Sequence, residues 1–592
     1  LYSKDRVHPG IDRVARETGR HGFLVFGEGF GIDARGKNVV SRQIESYMHT
    51  RDGKPLMSGM LNFPLYGALQ SAIAHGKPPS ELAERIASMM RTHPRAHWMP
   101  TFLDNHDVDR FLAAGSTAAL KQGLLALMTL PGIPVIYYGT EQGFNVQRAA
   151  MFKDGFQSGG FDRFDSNADL YRTIQSMSAL RRANRTLSRG MPHMLHANDA
   201  APGALVWEMR EGNERLIVAL NTSGQSTFAA VETGLNAGTE LAGAYAIDGT
   251  APRLKVGPAG RLALEMPARA GWVWRVENKG TPPPARHNKN ALQITGVAPD
   301  GKAGVTRVSG RARPGAEVRV LLDGQFAHAQ AVRADGNGRW RAEFNTASLI
   351  DPAQRHDAVA VLADIGNQFA TASNTMSFKV RPAWSAALDY IDPAGDDRGP
   401  RGAYDYPQDP TWGKHRQMDL RRVRAWHAAG SLKIELTMHR LTQFWQPANG
   451  FDHAAITLFI ELPGREGGTR VMPMQNTELP AGARWHYRLR THGWSNALYA
   501  SDGATSTVEG TPVTPGARLE TDARKHAITF TLPAEALGRP KSLKGARLYV
   551  TTWDYDGGYR GLQPQPSRYA MSGGDGKVDP LLMDDTPMLE LR

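Results

Sequence analysis

Two acidic residues stand directly after apolar runs in the first part of the chain. Glu28 ends the stretch FLVFGE (23–28), and Asp107 ends FLDNHD (102–107). If both runs are parallel strands, their carboxyl ends share one face, and the two carboxylates would converge there. Converging carboxylates can transfer protons and stabilise positive charge, and their repulsion raises the proton affinity of one member. The neighbouring His106 could donate a hydrogen bond to a bound hydroxyl group.

Carboxylates arranged in this way suit the cleavage of glycosidic bonds. One group protonates the leaving oxygen, while others stabilise positive charge at the sugar carbon. Acidic residues after strands are also common loop caps, so the spacing alone leaves both interpretations open.

Residues 1–187 alternate strand-like and helix-like segments. One helical periodicity starts near Ser80, which we expect to be its N-cap. The apolar runs fit strands covered on both faces, as in a parallel sheet. These runs are FLVFGE (23–28), LMSGMLNFPL (56–65), WMPTFLDNHD (98–107) and IPVIYYG (133–139). The alternation predicts an α/β domain whose ligand site lies at the carboxyl ends of its strands.

The pattern becomes strand-rich after this region. Alternating apolar and polar residues predict an antiparallel β-domain at 188–277, followed by a Pro-rich linker at 278–290. Short strands with turn signals predict a small β-sandwich at 291–380. Residues 381–592 are rich in Trp, Tyr, Asp and Gly and also indicate β-structure. We therefore predict a multidomain chain with one α/β domain and three all-β domains.

The composition excludes several classes of protein. The chain of 592 residues has no cysteine, which rules out disulfides, a catalytic thiol and thiolate metal sites. It has no apolar run of about 18 residues, so we expect no membrane span. The formal net charge is +12, yet Lys and Arg are scattered and no nucleic-acid-binding motif accompanies them. We expect no nucleic-acid partner.

Four motifs together resemble the α-amylase family of glycoside hydrolases. In order and separation they are similar to the fifth to eighth strand regions of that family's barrel. The motifs are FLVFGEGF (23–30), LNFPLYGAL (61–69), TFLDNHDVDRF (101–111) and GIPVIYYGTEQGF (132–144). The resemblance implies the C-terminal half of a (β/α)8 TIM barrel at 1–187 and the family's β-sandwich domain C at 188–277.

The resemblance also implies roles for individual residues. Glu28 would be the general acid/base, Asp107 would stabilise the oxocarbenium-like transition state, and His106 would bind hydroxyls of the sugar at the cleavage point. The implied partner is an α-glucan polysaccharide or oligosaccharide. Further substrate contacts are expected from nearby polar and aromatic residues, namely Asn105, Tyr138 and Arg148, although the loop that carries Arg148 could equally be filler.

The nucleophilic Asp of this family lies upstream of the Glu, at the end of the fourth barrel strand. Asp5 and Asp12 precede Glu28, but neither follows an apolar run. A retaining mechanism needs the nucleophile about 5–5.5 Å from the acid/base. We therefore expect this chain to be the C-terminal part of a longer enzyme and to be inactive alone. The alternative is a non-catalytic protein that binds glycans or anchors to the cell surface.

The last part of the chain resembles the C-terminal β-domain of glucodextranases, and the domain before it, at 291–380, is expected to be Ig-like. The resemblance rests on residues 392–412, 444–462 and 551–561. It implies attachment to carbohydrate or to a cell-surface polymer, and hence a secreted, periplasmic or surface location.

Two sets of side chains in this C-terminal region are candidate ligand sites. Tryptophans could stack on sugar faces, although each could equally be a core residue; they are Trp412, Trp445, Trp494 and Trp553. A carboxylate cluster could hold Ca²⁺, although a solvated turn explains it as well; it comprises Asp392, Asp396 and Asp397. No organic cofactor is expected.

Overall fold

The computed structural model describes residues 11–20, 24–53, 56–257, 260–278, 292–301, 304–362, 372–445, 447–514, 516–555 and 558–592. Asp5 and almost all of the predicted linker at 278–290 lie outside them. The chain divides into two compact units. The first comprises 1–297, 308–343 and 354–378, and the second comprises 298–307, 344–353 and 379–592.

The first unit begins with alternating helices and short strands. The helices are α1 (Ile11–Glu17), α2 (Val39–Ser46), α3 (Phe63–Leu69), α4 (Ser80–Thr92), α5 (Thr117–Thr129), α6 (Asp169–Ala183) and α7 (Thr186–Arg189). The strands are β1 (Phe26–Gly27), β2 (Gly59–Met60), β3 (Pro100–Phe102) and β4 (Ile133–Val135). The alternation of strand and helix predicted for this region is present. No helix in the described part of the chain is both long and apolar enough to cross a membrane.

The short strands run parallel and lie side by side. β1 pairs in parallel with β2, and β3 pairs in parallel with β4. The Asn62 amide donates to the Pro100 carbonyl at 3.0 Å, which joins the ends of β2 and β3. A side chain at Gly59 would come within 2.4 Å of the Trp98 carbonyl oxygen, so this close approach requires glycine. Because Gly59 lies beside Trp98 and Asn62 beside Pro100, the two parallel pairs run in the same direction, and all four carboxyl ends share one edge.

Helix positions follow from local sequence signals. The Asn62 side chain caps α3 by accepting from the Leu65 amide at 3.1 Å, and Ser116 caps α5 through the Ala119 amide at 3.2 Å. The prediction for Ser80 was wrong by one residue, because α4 begins at Ser80 and its N-cap is Pro79. The Ser80 hydroxyl instead accepts a hydrogen bond from Arg35 at 3.1 Å.

A buried ion pair fixes α2 against α4. Asp33 accepts hydrogen bonds from the amides of Val40 and Ser41, each at 2.9 Å, and so caps α2. Arg85 on α4 lies 3.2 Å from the same carboxylate and also donates to the Lys37 carbonyl at 2.9 Å. Both side chains are almost fully buried. The pair therefore holds the polypeptide between β1 and β2 in place.

A β-sandwich follows in the same unit. Its strands are β5 (Met191–Ala197), β6 (Ala204–Glu211), β7 (Glu214–Asn221), β8 (Thr227–Glu232), β9 (Glu240–Ala246), β10 (Leu254–Lys255), β11 (Arg261–Met266) and β12 (Gly271–Asn278). The larger sheet has the order β10-β9-β12-β7-β6-β5, and β11 pairs with β8. Alternate residues of β6 enter different cores: Leu205 and Trp207 join the helices, and Ala204 and Val206 face the smaller sheet.

Two further sheets lie between 293 and 378. The strands are β13 (Gln293–Asp300), β14 (Val305–Arg311), β15 (Glu317–Leu322), β16 (Gln330–Arg333), β17 (Arg339–Asn345), β18 (His356–Leu362) and β19 (Met376–Phe378). Their orders are β13-β14-β17 and β16-β15-β18-β19. The region is all-β as predicted. Its Ig-like character stays a prediction.

The second unit ends in a larger β-sandwich. Its strands are β20 (Ser385–Ile391), β21 (Leu420–Ala428), β22 (Ser431–Met438), β23 (Ala455–Glu461), β24 (Val471–Met472), β25 (Thr477–Glu478), β26 (Tyr487–His492), β27 (Ser495–Ala500), β28 (Thr511–Pro512), β29 (Arg518–Asp522), β30 (Ala527–Leu532), β31 (Arg547–Trp553), β32 (Asp584–Asp585) and β33 (Leu589–Glu590). One sheet has the order β20-β21-β22-β30-β29, and the other runs β28-β27-β26-β23-β31-β32, with β33 also on β31. One core cluster contains Ile434 and Leu436 of the first sheet and Ile456 and Leu458 of the second.

Replacing Arg85 by Met is expected to loosen α2 and α4. The substitution removes the cation from a buried pair, which costs about 3 kcal/mol and corresponds to about a hundredfold faster amide exchange. Hydrogen-exchange mass spectrometry of peptides covering residues 39–46 and 80–92 measures this effect. Arg91→Met, on an exposed position of the same helix, is the control and should leave exchange unchanged. Equal exchange in both variants would contradict the role given to Arg85.

Candidate active site

Four of the predicted site residues follow strands at the shared carboxyl edge. Glu28 comes directly after β1, and Asn105, His106 and Asp107 lie in the turn after β3. Because β1 to β4 are parallel neighbours, this edge collects side chains from sequence segments far apart in the chain. The edge is therefore the place in the first unit where polar groups from different strands are presented together.

The turn after β3 is held by Arg148, which follows β4. Arg148 donates to Asp107 Oδ1 at 3.1 Å and to the His106 carbonyl at 2.8 Å. His106 Nε2 lies 3.1 Å from Asp107 Oδ2, and Asn105 Oδ1 accepts from the Asp107 amide at 2.8 Å. The structure thus brings Asn105, His106, Asp107 and Arg148 together. The side chains of His106 and Asp107 stay accessible to solvent, with 59% and 38% exposed.

A buried layer that the sequence analysis missed supports this turn. Arg110 is fully buried, donates to the Tyr138 carbonyl at 2.6 Å, and lies 3.9 Å from the centre of the Tyr137 ring. Asp104 faces Arg110 at 3.7 Å and accepts from the Phe111 amide at 3.0 Å. Burial raises the pKa of Asp104, although the Phe111 hydrogen bond and Arg110 oppose the shift. The only sequence feature that could have indicated this buried layer was Arg110, at the end of the stretch DNHDVDR (104–110).

Tyr138 is placed by the same layer. Its ring is 4.5 Å from that of Tyr137, and the Tyr137 ring lies 6.5 Å from the His106 ring. Tyr138 is 41% exposed and so presents a surface to a ligand at the edge. Burial raises the pKa of Tyr137 to about 12, so this phenol stays protonated at neutral pH.

Glu28 lies at the same edge, directly after β1. Within the described part of the chain its carboxylate makes no hydrogen bond or ion pair, and the residue is exposed. The strand before it packs tightly, since a side chain at Gly27 would come within 2.8 Å of Met60 Sδ. Phe30, two residues beyond, packs on Phe63 with ring centres 4.7 Å apart. The placement of Glu28 is compatible with a role in chemistry, and that role stays a prediction.

The four predicted tryptophans fall into two groups. Trp412 and Trp553 are 5% and 0% exposed and belong to one hydrophobic core cluster. The Trp553 indole donates to the Arg560 carbonyl at 2.9 Å. Neither has a free ring face, so the prediction that these two stack on sugars was wrong. The physical reason is that the apolar core of the sandwich closes over both rings.

Trp445 and Trp494 are exposed by 60% and 52%, and their ring centres lie 6.2 Å apart. Asp452 fixes the first by accepting from the Trp445 amide at 2.9 Å. Phe444, which the sequence analysis did not single out, is 49% exposed beside them. We call Phe444, Trp445 and Trp494 the aromatic surface. Its rings can accept the C–H face of a sugar.

The predicted carboxylate cluster has a different third member. Asp397 accepts from the Tyr406 hydroxyl at 2.6 Å and is ion-paired with Arg416, so its inclusion was wrong. Asp584 takes its place: one oxygen each of Asp392, Asp396 and Asp584 lie within 4.8 Å of one another. No local motif could have indicated Asp584, because β32 brings it to the cluster from near the end of the chain.

Burial changes the acidity of this cluster. It raises the pKa of Asp392 to about 7; the charge of Asp396 adds to this shift, and a hydrogen bond from the Tyr390 hydroxyl opposes it. Burial also raises the pKa of Asp584 to about 8; the hydrogen bond from the Leu420 amide opposes this shift, and the charges of Asp392 and Asp396 add to it. These oxygen ligands are of the type that Ca²⁺ prefers.

Two protein families match parts of the chain. Residues 61–178 match the family described as "Alpha amylase, catalytic domain". Residues 388–587 match the family described as "C-terminal binding-module, SLH-like, of glucodextranase". The first match contains the turn after β3 and Arg148 but begins after Glu28. The second contains the aromatic surface and the carboxylate cluster.

Curated relatives agree with these matches. An α-amylase of Streptomyces lividans is 30% identical over 56% of this chain and 37% of its own length. A cyclomaltodextrin glucanotransferase of Klebsiella oxytoca is 28% identical over 36% of this chain and 36% of its own length. The chain thus spans little more than a third of either relative. A crystal structure of an Anoxybacillus α-amylase superposes with a TM-score of 0.37 at 21% identity, over 46% of this chain and 56% of that one, which is too low to support an inference.

The resemblance indicated by the strand motifs is confirmed, and so is the one indicated by the C-terminal stretches. Residues 61–178 are therefore similar to the catalytic domain of the α-amylase family, and residues 388–587 are similar to the C-terminal binding module of glucodextranase.

Proposed function

We propose that this protein acts on α-glucans as a retaining glycosidase of the α-amylase type. The observation that carries the proposal is the turn after β3, where Arg148 holds His106 and Asp107 at an edge that also bears Glu28. The catalytic-domain match and the α-amylase and glucanotransferase relatives support the same chemistry. Domain boundaries at 1–187 and 188–277, with a half barrel and a domain C, are part of this proposal.

The proposed roles rest on the family resemblance, and the placement of each group is compatible with them. Glu28 protonates the leaving glycosidic oxygen and later removes a proton from the incoming acceptor. Asp107 lies where a carboxylate can stabilise positive charge at the sugar carbon, and Arg148 keeps it oriented. His106, Asn105 and Tyr138 present hydrogen-bonding groups to sugar hydroxyls. Water as the acceptor gives hydrolysis, and a second sugar gives transglycosylation.

Glu28→Gln in the full gene product is expected to lower kcat on maltodextrin by about 10²- to 10⁴-fold, because the amide cannot protonate the leaving oxygen. α-Maltosyl fluoride separates this effect from misfolding, since fluoride leaves without protonation. We expect the variant to form the glycosyl intermediate from this substrate at a rate near that of the wild type. Both rates are measured by quenched-flow kinetics.

The control for this substitution is Glu84→Gln, which alters an exposed carboxylate on α4 that is 3.9 Å from Arg35. It should leave both rates unchanged. Full maltodextrin activity in Glu28→Gln would refute the assignment of the acid/base. Equal loss on both substrates would refute it too, because it would indicate a structural rather than a proton-transfer role.

A second function is favoured by the aromatic surface. We propose that residues 381–592 bind glycan or a cell-surface polymer through Trp445 and Trp494, which places the protein outside the cytoplasm. Exposed indole rings in fixed positions are costly unless they contact a ligand, because they leave a large apolar area in water. The match to a C-terminal binding module of SLH-like type supports surface association.

Trp494→Ala is expected to weaken binding to starch or cell-wall polymer about tenfold, since an aromatic contact contributes about 1.5 kcal/mol. Affinity is measured by depletion of the full chain from solution by each insoluble polymer. The control is Tyr569→Ala, which removes an aromatic ring of similar exposure (56%) outside the aromatic surface. Equal affinity of both variants and the wild type would exclude the aromatic surface as the contact.

A further inference from the structure

Three carboxylates from two distant segments meet in the second unit. Asp392 and Asp396 lie in the loop that follows β20, and Asp584 begins β32. One oxygen of each lies within 4.8 Å of the others. Backbone hydrogen bonds fix both segments: the Asp392 amide donates to the Arg421 carbonyl at 3.1 Å, and Asp584 Oδ2 accepts from the Leu420 amide at 2.7 Å. The cluster is therefore held by β21 rather than by a chance contact of mobile side chains.

Within the described part of the chain Asp392 has no cation to compensate its burial, although the Tyr390 hydroxyl lies beside it. The residue is 3% exposed, and within the described part of the chain neither carboxylate oxygen has a hydrogen-bond partner of good geometry. Nearby arginines are directed to other carboxylates: Arg416 pairs with Asp397, and Arg421 lies 3.6 Å from Asp419. A buried carboxylate without a compensating cation is costly, and two more carboxylates beside it increase the cost. The arrangement points to a missing positive charge at this position.

We infer that Asp392, Asp396 and Asp584 bind one divalent cation, and that this cation is Ca²⁺. The ligands are all carboxylate oxygens, which suit hard cations and not Zn²⁺ or copper. One oxygen of each residue lies within 4.8 Å of the others. Ca²⁺ accepts oxygen ligands in a flexible geometry, whereas Mg²⁺ demands a near-ideal octahedron, so an irregular set of side chains from two segments suits Ca²⁺ better. Asp396 is exposed, which leaves the remaining coordination positions to water.

Bound Ca²⁺ would join the loop after β20 to the strand that precedes the end of the chain. β32 is only two residues long and pairs with β31 through Thr551 and Thr552. A short edge strand has few hydrogen bonds of its own, so a metal bridge to β20 adds a constraint that the ladder cannot supply. The bound ion would thus have a structural role, because it would hold β32 to the loop after β20.

The test is a calorimetric titration of the EDTA-stripped full chain with CaCl₂, combined with thermal unfolding. We expect one Ca²⁺ per chain and a rise in the melting temperature of the second unit. Asp392→Asn and Asp584→Asn should each weaken Ca²⁺ binding more than tenfold and remove that rise. Asp502→Asn, at an exposed position of the same unit, is the matched control and should behave as the wild type.

The same variants distinguish a loss of Ca²⁺ binding from misfolding. In EDTA, Asp392→Asn should melt at or above the wild-type temperature, because one of three mutually repelling carboxylates becomes neutral. A variant that merely unfolds would melt lower in both conditions, and Asp396→Asn, at the exposed ligand, then provides the binding measurement. Wild-type Ca²⁺ affinity in all three variants, or no Ca²⁺ binding by the wild type at millimolar concentration, would overturn the inference. MgCl₂ binding tighter than CaCl₂ binding would overturn the assignment of the metal.

Discussion

The parallel pairing of four short strands is the constraint on which the candidate active site depends. Each strand contributes only two or three residues, yet the parallel pairing within β1-β2 and β3-β4 and the contacts between β2 and β3 set all four in one direction. Glu28 and Asp107 therefore reach the same edge, although a long segment of helices separates them in the chain. Gly59 permits the close approach between β2 and β3, and a larger side chain there would push these strands apart.

The edge combines a buried support with an exposed polar face. Asp104 and Arg110 are inaccessible and hold the backbone around Tyr138, whereas His106 and Asp107 remain in contact with solvent. This division is physically sensible, because a buried ion pair resists displacement while exposed groups stay available to a ligand. Arg148 links the segment that follows β4 to the turn after β3, so the geometry of the face depends on the loops after two neighbouring strands.

The second unit is built from antiparallel strands, in which successive side chains point to opposite faces of the sheet. Residues that face inward, such as Trp553, fill the core, and residues in loops, such as Trp445 and Trp494, stay outside it. The same closure brings Asp584 beside Asp392. Polar groups buried in this way need a partner, and that requirement is what distinguishes the carboxylate cluster from the many exposed acidic residues of the chain.

The sequence alone determined the alternation of strand and helix, the all-β character of the later regions, both family resemblances and the turn residues Asn105 to Asp107. These features are encoded within stretches of about ten residues, where apolar periodicity and motif order are directly readable. Only the tertiary structure decided that Trp412 and Trp553 are buried, that Asp397 pairs with Arg416, and that Asp584 completes the cluster. Those outcomes depend on which distant strands come into contact, because burial and ion pairing are set by tertiary contacts and not by the residues adjacent in the sequence.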